Sequence, residues 1–161
     1  MRIALAGVAM VLAVRAATAA PATNWSDDRV IFTAEAARKS WGSLFRPGTT
    51  AWTPALADVL ALERRLPEYM RVELDRQARQ RDWPMDKKNP LWDRAKTYKR
   101  QYVGVRRQKQ RIIYANFFCD PLGTDWRITP VEVDDGGDCY FQVEYDVEKR
   151  SFADLSLNGS A

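Results

Sequence analysis

The spacing of apolar residues changes once along this chain, and that change constrains the fold more than any other feature. Between residues 53 and 81, apolar side chains recur every three or four positions among charged ones, at Leu56, Val59, Leu60, Leu66 and Met70. This spacing predicts one apolar stripe on an amphipathic helix. From residue 98 onward the period is two, and aromatic and β-branched residues are frequent, as in half-buried strands. A helix followed by strands is typical of an α+β fold.

Proline positions bound and divide the predicted helix. Thr53 followed by Pro54 predicts its start, since a hydroxyl can cap the first turn and Pro is tolerated at the first helical position. Pro67 predicts an interruption or a kink, because Pro lacks a backbone donor and clashes with the preceding turn. We expect a second helical segment from about Glu68 toward Arg81.

Four strands are predicted in the second half of the chain. They cover residues 98–105, 111–118, 139–146 and 152–157. We therefore expect residues 52–161 to form a single α+β domain, in which an N-terminal kinked helix packs on a four-stranded antiparallel meander. Cystatin-like rolls share this plan, and the analogy concerns architecture alone, because a fold does not determine a function.

Residues 20–51 follow neither period clearly, and Pro47-Gly48 within them is a turn signal. We expect this segment to be a partly ordered lead-in. Its aromatic side chains Trp41 and Phe45, together with Trp52, are predicted to dock on the domain.

The N-terminus has the layout of a cleavable export signal. Met1-Arg2 is a short positive region, Ile3–Val14 is apolar, and Ala17 and Ala19 form a small-residue cleavage pattern. The apolar run is far shorter than the roughly 20 residues that a membrane-spanning helix needs. We therefore expect residues 1–19 to be a signal peptide, and the mature protein to be periplasmic or secreted without a membrane span.

The two cysteines of the chain are Cys119 and Cys139. In an oxidising compartment such a pair predicts a disulfide, with two buried thiols as the alternative. The first cysteine ends the second predicted strand and the other begins the third, so a bridge would pin these strands together. Closing a loop of about 20 residues stabilises a fold by roughly 3 kcal/mol in the chain-entropy treatment.

The chain contains no histidine, and this absence excludes several kinds of chemistry. Ser-His-Asp and Cys-His catalysis and histidine-ligated metal sites all need an imidazole. The serines lie in no nucleophile motif, and no pair of carboxylates stands out as a glycosidase pair would. We expect no cofactor, and enzyme activity is predicted only as an alternative, a hydrolase that works through carboxylates.

Charge is unevenly distributed. Without Arg2 and Arg15 of the signal, 23 basic residues face 21 acidic ones. Residues 61–112 hold 16 basic and 7 acidic residues, whereas residues 119–161 hold 3 basic and 10 acidic residues. The asymmetry indicates either partner surfaces of opposite sign or a basic half that packs against an acidic half within one domain.

Aromatic and basic residues between 83 and 109 are candidates for partner binding. They are Trp83, Trp92, Tyr98, Tyr102, Arg106, Arg107 and Lys109. Trp, Tyr and Arg dominate many protein interfaces, whereas core packing of the aromatics and a solvated hairpin turn are the alternatives. Export argues against nucleic acid as the partner and leaves anionic envelope polymers possible through the basic region 94–111.

Asp134, Asp135 and Asp138 surround Gly136-Gly137 and form the most concentrated acidic loop. Hard cations such as calcium take oxygen ligands, but the EF-hand spacing is absent. A turn before the third strand is the alternative, because Asp and Gly are common turn residues. We retain the three aspartates as weak cation-site candidates.

Five short patterns in the second half carry a resemblance to a known group. They are Tyr98-x-x-Gln101-Tyr102-Val103-Gly104, Ile113-Tyr114-Ala115-Asn116, Asp135-Gly136-Gly137-Asp138-Cys139-Tyr140-Phe141, Tyr145-Asp146 and Asn158-Gly159-x-Ala161. In these residues the chain resembles small exported proteobacterial proteins of unknown function. The resemblance implies a shared fold and no activity.

These observations favour an exported binding domain that recognises another protein, as an inhibitor or immunity factor for an envelope-acting enzyme would. An envelope-associated structural protein that binds anionic polymers is one alternative, and the carboxylate-dependent hydrolase is the other. Salt separates the first two, since binding through Lys and Arg to a polyanion weakens as ionic strength rises.

Overall fold

A mixed, seven-stranded β-sheet organises the protein in a computed structural model that describes residues 23–81 and 86–159. The predicted signal peptide, residues 1–19, lies outside the described residues. The strands are β1 (Thr23–Ser26), β2 (Arg29–Ile31), β3 (Thr49–Trp52), β4 (Lys99–Arg107), β5 (Gln110–Phe118), β6 (Tyr140–Asp146) and β7 (Ser151–Leu157). The helices are α1 (Ala34–Ser40), α2 (Leu56–Arg81) and the short α3 (Leu91–Arg94).

Strands β4 to β7 form an antiparallel meander in sequence order. The other edge of β4 is shared, because β2 pairs with its first part in parallel and β3 pairs with its last part antiparallel. The α+β class is confirmed. The sheet has seven strands and not the four predicted, because β1 to β3 are too short for their period to be read from the sequence. It is mixed because β2 pairs with β4 in parallel.

The sequence predicted an interruption or a kink at Pro67. The interruption is wrong, because α2 is one helix from Leu56 to Arg81, and the kink stays a prediction. The buried stripe of α2 includes Val59, Leu62, Leu66 and Met70, whereas Leu56, which was predicted to belong to it, is 44% exposed at the start of the helix. An interior Pro costs about 3 kcal/mol, but burial of each such side chain contributes about 1.5–3 kcal/mol, so the packing outweighs the cost. No helix in the described ranges is long and apolar enough to cross a membrane.

Thr53, which the sequence predicted to cap the first turn of α2, has a different role. The helix begins at Leu56, and the Thr53 Oγ1 accepts a hydrogen bond of 2.9 Å from the Ala34 amide. The Thr53 side chain therefore joins the segment after β3 to the first turn of α1.

Both faces of the sheet are covered. Helix α2 packs on one face, over a core that includes Tyr102, Phe117 and Phe141. On the other face, α1 and the segment 119–139 enclose a second core around Trp41 and Phe118. Strands β1 to β3 and helix α1 precede residue 53, so the described part of the predicted lead-in belongs to the same sheet and its second core.

The segment between β5 and β6 is fastened at its two ends. Cys119 and Cys139 form the predicted disulfide, with their Cα atoms 5.1 Å apart. The Cys119 amide also donates to the Cys139 carbonyl at 2.9 Å. The bridge therefore joins the end of β5 to the start of β6, as the sequence predicted.

Candidate functional site

A groove lies between α2 and the turn that joins β6 to β7. It consists of two adjoining cavities of about 560 and 650 Å³ that share Arg64, Arg65 and Arg150. The other lining residues are Ala57, Asp58, Ala61, Glu68, Tyr69, Val72, Arg111, Tyr145, Val147, Ser151 and Phe152. We call this feature the arginine groove.

Three arginines of the groove have unused hydrogen-bonding capacity. Arg64 and Arg65 are exposed on α2, and Arg150 is exposed in the β6–β7 turn. None of them makes a side-chain hydrogen bond or ion pair with another residue of the described ranges. A guanidinium group presents a rigid set of donors that matches carboxylate and phosphate oxygens. The groove can therefore hold an anionic group.

Arg150 has a backbone conformation that glycine or asparagine would adopt at a lower cost in free energy. Its φ angle is 52°, in the left-handed region. The turn is held by Asp146, whose Oδ1 accepts a hydrogen bond of 2.9 Å from the Lys149 amide. The turn thereby presents a guanidinium at the groove, opposite Arg64 and Arg65 of α2.

Arg111 also lines the groove, and its side chain is held by contacts within the protein. Its Nε donates to Glu148 Oε1 at 2.6 Å, and its guanidinium lies 5.1 Å from the centre of the Trp52 ring. The hydrogen bond from Arg111 lowers the pKa of Glu148, and the same bond raises the pKa of Arg111. Asp58 lies further away, with its Oδ2 3.9 Å from Arg111 Nη1. Arg111 is thus already paired, in contrast to the three shared arginines.

Apolar and aromatic side chains complete the groove. Tyr69 stacks on Phe152 with ring centres 4.7 Å apart, and burial raises the pKa of Tyr69. Val72 is 55% exposed beside them. Tyr145 lines the cavity of about 560 Å³, and its buried hydroxyl has no hydrogen-bond partner among the described residues. The arginine groove therefore combines cationic and apolar surface.

The basic region 94–111 is largely paired inside the molecule. Arg94 binds Asp138, and a hydrogen bond between them raises the pKa of Arg94. Arg107 binds Glu144 through both terminal nitrogens, which raises the pKa of Arg107. Part of the charge asymmetry of the sequence therefore reflects internal ion pairs between the two halves, of Arg94 with Asp138, Arg107 with Glu144 and Arg111 with Glu148.

The remaining basic candidates lie at the hairpin between β4 and β5. Arg106 is exposed at the end of β4, and Lys109 is exposed in the turn. Neither residue lines the arginine groove.

The aromatic candidates have different environments. Trp83 lies outside the described residues. Trp92 is half-buried on α3 and lines two cavities near α2. Tyr98 is 5% exposed and Tyr102 is 0% exposed, so both belong to the core and neither can serve as a surface anchor.

Tyr102 is also held by a hydrogen bond inside the core. Its hydroxyl donates to Glu63 Oε1 at 2.6 Å. Burial, followed by the Glu63 charge, raises the pKa of Tyr102 well above its ordinary value. Its ring and hydroxyl are therefore fully engaged by the protein.

The acidic loop takes the conformation of a turn. Gly136 and Gly137 have φ angles of 112° and 58°, which glycine adopts readily. Asp138 is paired with Arg94, and Asp135 forms an isolated bridge with Gly159. In residues 23–81 and 86–159, no group of three or more acidic or cysteine side chains is placed to hold a metal ion. The weak cation-site hypothesis for Asp134, Asp135 and Asp138 therefore has no geometric support.

Sequence analysis did not identify the groove. Arg64 and Arg65 lie among the charged residues of the predicted helix, and Arg150 lies between the third and fourth predicted strands. Only the packing of α2 across the sheet places them beside one another. The one local signal is the adjacent Arg64-Arg65 pair on an exposed helix face.

A scan against protein-family models and searches of curated proteins and solved structures found no match to this chain. The function must therefore be argued from the site itself.

Proposed function

We propose that this protein is an exported binding protein that recognises an acidic segment of another protein through the arginine groove. The observation that carries the proposal is the convergence of three unpaired arginines, Arg64, Arg65 and Arg150, in one groove. Carboxylates of a partner would supply the acceptors that these guanidinium groups lack in the described structure.

The composition of the groove favours a protein partner over an anionic polymer. Tyr69, Val72 and Phe152 offer apolar surface beside the arginines. Interfaces between proteins commonly combine Arg with aromatic side chains at their energetic centres. A polyanion would be favoured by a continuous basic surface, but Arg94 and Arg107 of the basic region are paired with acidic residues. The experiment must therefore distinguish binding to a protein from binding to an anionic polymer.

The disulfide supports the export part of the proposal. Disulfides persist in oxidising compartments, and the pair Cys119–Cys139 is formed. The predicted signal peptide and the resemblance to exported proteobacterial proteins point the same way and stay predictions. Within this class we favour an inhibitor or immunity factor for an envelope-acting enzyme, because such proteins act by binding alone.

A capture experiment with charge-reversed variants tests the proposal. The oxidised protein from residue 20 would be immobilised and incubated with an envelope extract of its own source, and bound proteins identified by mass spectrometry. The triple variant Arg64→Glu, Arg65→Glu, Arg150→Glu should lose a partner that the unchanged protein retains. The matched control is Arg38→Glu, an exposed arginine of α1 outside the groove.

The captured partner would then be purified and its affinity measured by calorimetry. We expect the triple variant to bind at least about 100-fold more weakly, because like charges placed together at an interface cost several kcal/mol. Equal affinity of the triple variant and the unchanged protein would overturn the proposal. Capture that disappears between about 0.1 M and 1 M salt and yields only polymer would also overturn it, in favour of the polymer alternative.

A further inference from the structure

We infer that the arginine groove has two subsites, and that it selects partner segments in which an acidic side chain lies about 6 Å from a large apolar one. The inference rests on the proposed function, and it specifies which acidic segments the groove accepts. The two cavities of the groove share Arg64, Arg65 and Arg150, whereas their remaining walls differ in chemistry.

The cavity of about 560 Å³ is the charged subsite, because Arg111 lines it in addition to the three shared arginines. Two acidic residues also line the groove. Asp58 Oδ2 lies 3.9 Å from Arg111 Nη1, and Glu68 Oε1 lies 2.7 Å from Nη2 of Arg71, which is outside the groove. Four arginines against two carboxylates leave the groove with a net positive charge. A carboxylate of the partner is therefore attracted to this subsite.

The cavity of about 650 Å³ is the apolar subsite. Phe152 packs against two tyrosine rings, with its ring centre 4.7 Å from that of Tyr69 and 4.9 Å from that of Tyr145. Val72, which is 55% exposed, lines the same cavity. Because neighbouring rings already hold Phe152 in place, a side chain that docks here orders little of the protein. A large apolar side chain of the partner would remove the exposed surface of Val72 from water.

The positions of the lining residues along α2 set the distance between the two subsites. Arg65, Tyr69 and Val72 follow one another at spacings of four and three residues, so they form one stripe on the helix surface. Four residues of an α-helix rise about 6 Å. In an extended segment, side chains two positions apart point the same way and lie about 6.6 Å apart. The matching pattern in the partner is therefore an acidic residue and a large apolar residue with one residue between them.

Three matched peptides test this inference on the unchanged, disulfide-bonded protein. Acetyl-Glu-Ser-Phe-Ser-Glu-amide carries both features at the matching spacing. Acetyl-Glu-Ser-Ser-Ser-Glu-amide lacks the apolar side chain, and acetyl-Gln-Ser-Phe-Ser-Gln-amide lacks the charges. Each would be titrated while NMR follows the methyl signals of Val147 in the charged subsite and of Val72 in the apolar subsite.

We expect the first peptide to shift both methyl signals. It should bind at least about tenfold more tightly than either of the others, because burial of the Phe ring and pairing of the carboxylates each contribute to its affinity. The second peptide should shift the Val147 signal and leave the Val72 signal in place.

The outcomes separate this inference from the proposed function. Equal affinities of the first two peptides, with weaker binding of the third, would overturn the two-subsite inference and leave the preference for acidic segments intact. Equal affinities of the first and third peptides would show that the arginines do not select carboxylates, which would overturn both. The absence of saturable shifts with all three peptides would overturn the inference, and the capture experiment would still decide the proposed function.

A variant of the apolar subsite locates the selectivity. Val72→Gln changes an exposed side chain of α2, so the fold should be retained. It should weaken binding of the first peptide at least about threefold and leave the affinity of the second unchanged. Ile128→Gln, at a position that is 58% exposed and outside the groove, is the matched control and should bind as the unchanged protein does. Equal losses for both peptides, or no loss for either, would contradict the assignment of Val72 to an apolar subsite.

Discussion

Gly104 lies in β4 opposite Trp52 of β3, at a point where the two strands leave no room for a side chain. A Cβ at this position would lie 2.2 Å from the Trp52 carbonyl oxygen and 2.9 Å from two of its ring carbons. The nearest obstacle is backbone, which cannot rotate away. Glycine is therefore required here for space.

We predict that Gly104→Ala lowers the free energy of unfolding by about 3 kcal/mol, at the upper end of the range for overpacking. Gly42→Ala is the control, because a Cβ there meets no atom within 4 Å, and we expect a change below about 0.5 kcal/mol. Urea unfolding of the disulfide-bonded proteins would measure both. Similar stability of the two variants would show that β3 can move away from β4 at little cost.

Several residues that carry the resemblance have structural roles. Gln101 Nε2 donates to the carbonyls of Trp126 and Thr129 at 2.6 and 2.7 Å. Asn116 Nδ2 donates to the Val131 carbonyl at 2.8 Å. These side chains hold the segment between β5 and β6 against the sheet. Their roles are structural, and none of Arg64, Arg65 and Arg150 belongs to the patterns quoted for the resemblance.

At the scale of elements, the segment 119–139 is ordered with little regular secondary structure. A short 3₁₀ turn at Gly137–Cys139 is its one regular element within the described residues. The disulfide closes the segment at its ends, and the buried amides of Gln101 and Asn116 bind its middle. Side-chain hydrogen bonds thus replace the backbone pairs that a strand or a helix would provide.

We predict that reduction of Cys119–Cys139 lowers the free energy of unfolding by about 3 kcal/mol, as expected for a loop of this length. Hydrogen exchange should increase most within residues 120–138, because only non-covalent contacts, among them the Gln101 and Asn116 hydrogen bonds and the packing of Trp126 and Val131, would then hold them. The measurement is urea unfolding and hydrogen exchange with and without reductant. The variant Cys119→Ala, Cys139→Ala should be insensitive to reductant, since the chain has no other cysteine. Unchanged stability on reduction would show that the non-covalent contacts of the segment suffice.

At the scale of the whole molecule, the sheet is covered on both sides by elements that are distant in sequence. Val103, Val105 and Phe118 face the second core, where Phe32 and Trp41 cover them. The covering residues come from the first part of the chain and the strands beneath them from the second. The two parts therefore depend on each other for burial.

We predict that a fragment beginning at residue 53 does not fold cooperatively. It would lack β1 to β3 and α1, and with them the burial of Val30, Phe32 and Trp41. At about 2 kcal/mol for each side chain, this loss of about 6 kcal/mol is comparable to the whole stability of a typical domain. Urea unfolding, followed by near-ultraviolet circular dichroism, would compare the fragment with the protein from residue 20. A sharp transition in the fragment would show that residues 53–161 are sufficient.

The sequence by itself determined the local features of this protein. Four features were predicted from the sequence, namely the amphipathic stripe of α2, the hairpin of β4 and β5, the strands β6 and β7, and the disulfide. The first three depend on neighbouring residues, and the disulfide was predictable because the sequence contains two cysteines. Periodicity reports which face of an element is buried, and this property is local.

The tertiary structure alone decided which residues meet. Three features bring together residues that are far apart in the chain. They are the pairing of β2 and β3 along one edge of β4, the burial of Tyr98 and Tyr102, and the convergence of Arg64, Arg65 and Arg150. The physical reason is that such contacts depend on the packing angle and register of whole elements. The local sequence around a charged or aromatic residue is the same whether that residue lies in a core, in an internal ion pair or at a binding site.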